Sequence, residues 1–180
     1  MTSILGISGS LRKGSYNTAL LRTAQRLLPG VIQPGDISDV PLYDGDIESA
    51  GMPDSVLRLK QQLSESSGLL LASPEYNNSV PGVLKNTIDW LSRPSGSLKN
   101  VFRDKPVAVM GASPGGFGTV MGQSAWLPVF RSLGARHWSG GRLMVSGAGN
   151  VFDERGELSD TALQERLEKY VTEFRAFCER

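Results

Sequence analysis

Short apolar runs alternate along this chain with longer segments of helical spacing. That alternation restricts the fold more than any other feature, because it reads as successive βαβ units. Ser3 to Ile7 is the first run. A polar loop follows, then a helix over Tyr16 to Leu28 in which Leu20, Leu21, Ala24, Leu27 and Leu28 keep i, i+3, i+4, i+7 spacing. Pro29-Gly30 ends that helix. Val31 to Asp39 reads as a weaker strand, and its internal Pro34 assigns it to a sheet edge, since proline cannot donate to a ladder. Pro41 to Met52 reads as loop, and Pro53-Asp54 opens a helix carrying Val56, Leu59 and Leu63. Leu69-Leu70-Leu71-Ala72 shows no polar alternation, as a central strand covered on both faces requires. Pro81 stands in the first turn of a helix reaching Ser92. Val107 to Met110 is the fourth strand, and the helix after it ends at Leu133. A fifth strand falls within Gly141 to Val145. Thr161 to Cys178 is an amphipathic helix with Leu163, Leu167, Tyr170, Val171, Phe174 and Phe177 on one face. The pattern predicts five strands and five helices with no repeat or linker, so that residues 1–180 form one domain.

A chain of 180 residues buries enough surface to need no disulfide or metal staple. Its 19 basic and 18 acidic residues leave a net charge of +1, with no basic run or aromatic-interleaved stripe. Nucleic acid is therefore not an expected partner. The lone Cys178 cannot close an internal disulfide, which suits a reducing compartment. Met1 to Ile7 has neither a preceding basic region nor a continuous apolar core, so it reads as a strand and not a signal peptide. No apolar stretch approaches the ~20 residues of a membrane helix. The expected location is the cytoplasm, with no membrane partner.

In an open parallel sheet, ligands bind beyond the carboxyl ends of the strands, where the strand order switches direction. Three loops would meet there. The first, Ser8 to Asn17, runs from a strand into a helix N-terminus, which aims free N–H groups and the positive dipole end at one spot. Ser10, Ser15 and Asn17 add neutral donors and Arg12 a charged fork, so the loop suits a phosphate. It lacks the Gly-Lys-Ser/Thr ending of a nucleoside-triphosphate loop and is not a Gly-x-Gly-x-x-Gly turn. The plainer reading is a helix cap with Ser15 as N-cap. The second loop, Ser73 to Gly82, holds Pro74, Glu75, Tyr76 and Asn77, whose backbone could bond the edge of a planar ring. It reads equally as a structural turn. The third, Gly111 to Thr119, carries four glycines in eight residues, including Gly115 and Gly116 beside Ser113. Glycine permits close backbone approach to a ligand, whereas a tight connection alone would need only one or two.

His137 is the single histidine, so a hydrolytic triad has one possible base and is not expected. One His and one Cys give no basis for a transition-metal site. Trp90, Trp126 and Trp138 are read as core or interface residues.

Two blocks are recognisable. Gly9-Ser10-Leu11-Arg12-Lys13-Gly14-Ser15-Tyr16-Asn17 and Ser73-Pro74-Glu75-Tyr76-Asn77-Asn78-Ser79-Val80-Pro81-Gly82-Val83-Leu84-Lys85-Asn86-Thr87-Ile88-Asp89-Trp90 resemble the NADPH-dependent FMN reductase family, with the pattern extending through Gly111 to Gly116. Within it the likeness is to the quinone, chromate and azo-dye reductases. The resemblance implies a flavodoxin-like, doubly wound parallel sheet of order 2-1-3-4-5 with helices on both faces. It also implies non-covalent FMN, NADPH or NADH as donor, and a homodimer or homotetramer. By position, Ser10, Arg12, Ser15 and Asn17 would hold the FMN phosphate. Pro74, Glu75, Tyr76 and Asn77 would border the ring and ribityl chain, with Ser113, Gly115 and Gly116 on the ring's other side. N–H groups of Glu75 to Asn77 and of Gly115-Gly116 would steady charge on the ring. Several relatives carry Arg where Gly116 stands. The implied chemistry is hydride transfer from nicotinamide to FMN and then to a small acceptor, in a ping-pong cycle needing no general acid or base. A flavodoxin-like electron carrier is the competing reading, but such carriers tend to be acidic and this chain is not.

Overall fold

A computed structural model describes residues 2–94 and 101–180. In chain order its elements are β1 (Ile4–Ser8), α1 (Tyr16–Leu27), β2 (Ile32–Gly35), α2 (Gly45–Ala50), α3 (Asp54–Glu65), β3 (Gly68–Ala72), α4 (Gly82–Leu91), β4 (Pro106–Ala112), α5 (Val120–Leu133), β5 (Arg136–His137), β6 (Leu143–Val145) and α6 (Thr161–Cys178). Every strand pair is parallel, in the order β2-β1-β3-β4-β5, with β6 also pairing with β4. The chain leaves β1 toward β2 and then returns to β3 on the other side, so the order reverses between β1 and β3.

Residues of β3 and β4 are buried without exception, because their alternating side chains enter two different cores. Leu70, Ala72, Ala108 and Met110 join Leu20 of α1 and Leu167, Val171 and Phe174 of α6. Leu69, Leu71, Val107 and Val109 point the other way, toward Leu59 of α3, Ile88 of α4 and Trp126 of α5. A strand apolar at every position is the direct consequence of helices on both faces. At Gly6 the first helix lies so close that a Cβ would stand 2.8 Å from a methyl of Leu21.

Pro34 sits in β2 at the sheet edge, as its missing N–H requires. Three details depart from the sequence reading. The connection from Pro41 to Met52, read as loop, contains α2, which begins at an Asp44 cap whose carboxylate accepts from Asp46 N–H at 2.8 Å. Pro81 takes the N-cap of α4, one residue before its first turn. The fifth strand is two short strands on either side of Trp138 to Arg142: β6 falls within the expected Gly141 to Val145, and β5 precedes it. Its first piece includes His137, ahead of the expected span. At the break the Trp138 ring turns inward to meet Tyr170 edge-on with centroids 4.9 Å apart, while its N–H still donates to the Val107 carbonyl at 2.8 Å.

Among the described residues, no helix is long and apolar enough to cross a membrane.

Candidate functional site

Loop one leaves β1 at the reversal point. Gly9 donates to the Ala72 carbonyl at 2.9 Å, which fastens the loop beside the end of β3. A Cβ on Gly9 would stand 2.8 Å from Leu84 and 3.0 Å from Pro74, so only glycine lets loops one and two touch. Ser15 caps α1, its buried hydroxyl accepting from Thr18 N–H at 3.2 Å. The N–H groups of Tyr16 and Asn17, in the helix's first turn, then have no intrahelical acceptor. They and the positive end of the helix dipole form the wall of a cleft.

That cleft, about 110 Å³, is lined by Ser10, Arg12, Ser15, Asn17, Pro74, Glu75, Tyr76 and Ser113 together with Tyr16, Ala112 and Pro114. Eight of the eleven residues expected from the sequence therefore line one space. The other three, Asn77, Gly115 and Gly116, lie outside this lining, on the tips of loops two and three. Arg12 is exposed, and its guanidinium lies over the Tyr16 ring, 5.6 Å from the centroid.

Asn17 does something the sequence did not suggest. Its buried amide donates to the Ala112 carbonyl and accepts from Ala112 N–H, both at 2.9 Å. Those two bonds clasp α1 to the end of β4 across 95 residues of chain. What the Asn17 side chain retains for an anion is one amide hydrogen, so most of what Asn17 can offer comes from its backbone N–H.

Loop two is a tight hairpin. Tyr76 and Ser79 exchange backbone bonds at 3.1 and 3.0 Å, and Asn77 and Asn78 both adopt positive φ, at 51° and 59°. Two successive left-handed residues make a type I′ turn, for which asparagine is among the few suitable side chains. The Glu75 carboxylate accepts from Gly122 N–H at 2.8 Å, so it caps α5 and does not face the cleft as a free charge. Gly122 permits this approach, since a Cβ there would stand 3.2 Å from both Glu75 and the Ser79 carbonyl. The buried Ser73 hydroxyl accepts from the Trp126 indole N–H at 2.9 Å and so supports the hairpin from below.

Loop three is tied down at both ends. Ser113 N–H reaches the Val145 carbonyl at 2.9 Å, and Gly147 N–H reaches that of Gly115 at 3.1 Å. Gly115 N–H is taken by the Ser113 hydroxyl at 3.1 Å. Tyr76 and Gly115 N–H groups, both expected to serve a ligand, are thus already bonded, whereas those of Asn77 and Gly116 have no acceptor among the described residues. Gly116 itself has neither positive φ nor a neighbour within 4 Å of where a Cβ would stand. Its position is open to a larger side chain.

The strand order, and a cleft set at its reversal point, define the class: this is a flavodoxin-like α/β protein. Within that class, the chain belongs to the NADPH-dependent FMN reductase family, an oxidoreductase family whose sequence model matches residues 2–150. It is 43% identical over 170 residues to an NAD(P)H-dependent FMN reductase of Pseudomonas aeruginosa, covering 93% of this chain and 90% of that one. It is 34% identical to a quinone reductase of Escherichia coli, covering 98% and 95% of the two chains. Among solved structures, the flavoenzyme NAD(P)H:(acceptor) oxidoreductase FerB of Paracoccus denitrificans superposes with a TM-score of 0.88 at 33% identity, covering 99% of this chain and 98% of that one.

The family's cofactor is FMN, and the donor set suits it. The cleft presents hydroxyls of Ser10 and Ser15, the Arg12 guanidinium and the α1 N-terminus, while its one carboxylate is occupied by α5. That combination matches a phosphate monoester. A cleft of 110 Å³ is well below the roughly 300–1,000 Å³ of a site enclosing a whole small molecule. Its size and donors suit the anionic tail of such a molecule and not the whole of it.

Proposed function

We propose that this protein is an NAD(P)H-dependent reductase that transfers electrons through FMN to small acceptors, with donor and acceptor using one open face in turn. Quinones head the acceptor list, because quinone reductases are among its relatives; azo and nitro compounds, chromate and free flavin share the needed accessibility. When bound, FMN supplies the hydride chemistry, receiving two electrons from the nicotinamide and releasing them to the second substrate.

The protein's part is to hold and orient. Ser10, Arg12, Ser15 and the first-turn N–H groups of α1 grip the phosphate. Pro74, Glu75, Tyr76 and Asn77 border the ring on one side, and Ser113, Gly115 and Gly116 on the other. The N–H groups of Asn77 and Gly116, without an acceptor among the described residues, can donate to ring atoms whose charge grows on reduction. Glu75 keeps the hairpin in place through α5. No side chain near the rim is needed as acid or base. The residues 1–180 act as one unit, in the cytoplasm, as a homodimer or homotetramer.

One observation carries the reading: an anion-binding helix start and a rigid, backbone-rich hairpin share a cleft at the sheet's reversal point. The test is a visible spectrum of purified protein after FMN addition, followed by NADPH and then a quinone. Bleaching by NADPH and recovery with quinone are expected. Flavin uptake without NADPH oxidation would instead indicate an electron carrier, and no uptake at micromolar FMN would end the proposal.

A further inference from the structure

A larger hollow, about 320 Å³, opens where the fifth strand breaks, and it shares no lining residue with the phosphate cleft. Its volume is that of a small-molecule site. Val109 forms its floor, Ser124 and Leu127 of α5 one wall, and His137, Ser139 and Arg142 the other. The detour from Trp138 to Arg142 that creates it is built in. A Cβ on Gly140 or Gly141 would stand 2.5 or 2.8 Å from the Trp138 indole, so both positions demand glycine. The Tyr170 hydroxyl takes the Val109 carbonyl at 2.7 Å from the opposite face of the sheet.

Three facts give the hollow a chemistry. Its lining holds one permanent cation, Arg142, beside His137, and no Asp or Glu. The Arg142 guanidinium has no hydrogen-bond or ion-pair partner among the described residues. The N–H groups of Ser139, Gly140 and Gly141 also find no acceptor among the described residues, and peptide donors require one from water or ligand. A free guanidinium beside unpaired peptide N–H groups suits a phosphate, and Leu127, Val120 and Met144 offer an apolar seat for an attached ring.

The hollow and the phosphate cleft lie on either side of loop three. A Cβ on Gly118, whose φ is +63°, would stand 3.3 Å from the Met144 backbone, so the loop bordering the cleft at Ala112 to Pro114 meets the hollow at its other end. Ala112 and Val109 are three residues apart on β4, about 10 Å at the usual strand rise. A dinucleotide can bridge that distance.

Building on the reductase reading, we propose that this hollow receives the phosphate-bearing adenosine half of the nicotinamide donor, held by Arg142 and the N–H groups of Ser139 to Gly141. The test uses FMN-loaded protein as wild type, Arg142→Gln and Arg142→Glu. The readouts are calorimetric binding of adenosine 2′,5′-bisphosphate and steady-state kinetics with NADPH and NADH. Loss of a charge-assisted contact is expected to raise KM for NADPH about tenfold or more. Bisphosphate binding should fall in parallel, with kcat and flavin content unchanged. A rise confined to NADPH assigns Arg142 to the 2′-phosphate, and an equal rise with NADH to the pyrophosphate; both support the site. Unchanged KM and bisphosphate affinity in a wild type that oxidises NADPH would overturn this proposal alone. So would a changed sedimentation coefficient with unchanged KM, which would make the hollow a subunit contact. A holoenzyme that oxidises no NADPH would end the reductase reading and the donor assignment together.

Discussion

At the scale of single residues, the cleft separates charge from scaffold. Arg12 is exposed and carries no ion pair among the described residues, so its removal costs the fold little, and under the proposed function its effect falls on the bound phosphate. Arg12→Ala is expected to weaken FMN binding about tenfold or more by flavin-fluorescence titration. An unaltered dissociation constant would reject its assignment. Asn17 is the opposite case. Both its amide groups are bonded to Ala112 in the interior, and truncation would strand a buried N–H and a buried carbonyl. Asn17→Ala should lower stability by about 2–4 kcal/mol in urea unfolding. A loss under ~0.5 kcal/mol would mean that water replaces the clasp. Both residues were visible in the sequence as donors near a helix start. Their different roles were not, because the partner of Asn17 lies 95 positions away.

Among the elements, glycines mark where the three loops meet. A Cβ at Gly111 would fall 2.4 Å from the Ser73 carbonyl and 2.4 Å from the Thr119 hydroxyl, with backbone on one side that cannot yield. Gly111→Ala should therefore cost about 3 kcal/mol or more, or prevent folding, as overpacking at an immovable wall does. Gly116→Ala meets empty space at an ordinary φ and should unfold within about 0.5 kcal/mol of wild type. Equal thermal midpoints for the two variants would refute the assignment. The sequence shows the cluster of glycines in loop three but not which of them is sterically required. That depends on β3 and loop two, which approach from elsewhere in the chain. The hairpin at Asn77-Asn78 left a clearer local sign, because the asparagine pair suits two left-handed residues. The short α2 left little, having no apolar periodicity and no buried residue.

For the molecule as a whole, burial of ionisable groups sets part of its pH response. The His137 residue is exposed, but its ring stacks on Phe130 with centroids 5.7 Å apart, and this partial desolvation lowers its pKa below the ordinary 6.5. The folded state thus resists a proton that the unfolded chain accepts. This contribution to stability is complete above about pH 6.5 and is lost as pH falls through 6.5 toward the folded value. Urea midpoints should therefore fall between pH 7.5 and pH 5, and His137→Gln should flatten that segment. An identical slope in the variant would remove His137 as the cause. The Cys178 thiol, pushed up to about 11 chiefly by burial, should react slowly with alkylating reagents at neutral pH.

How much was readable in advance divides along a physical line. Strand and helix positions, the edge place of β2, the burial of β3 and the phosphate-suited start of α1 follow from periodicity and local chemistry, which act over a few residues. The tertiary structure alone decided that the fifth strand breaks, that Glu75 belongs to α5, that Asn17 binds β4, and that a basic hollow opens behind loop three. Each of these depends on two segments far apart in sequence competing for the same space or the same hydrogen bond. Such competition resolves only when the sheet brings them together.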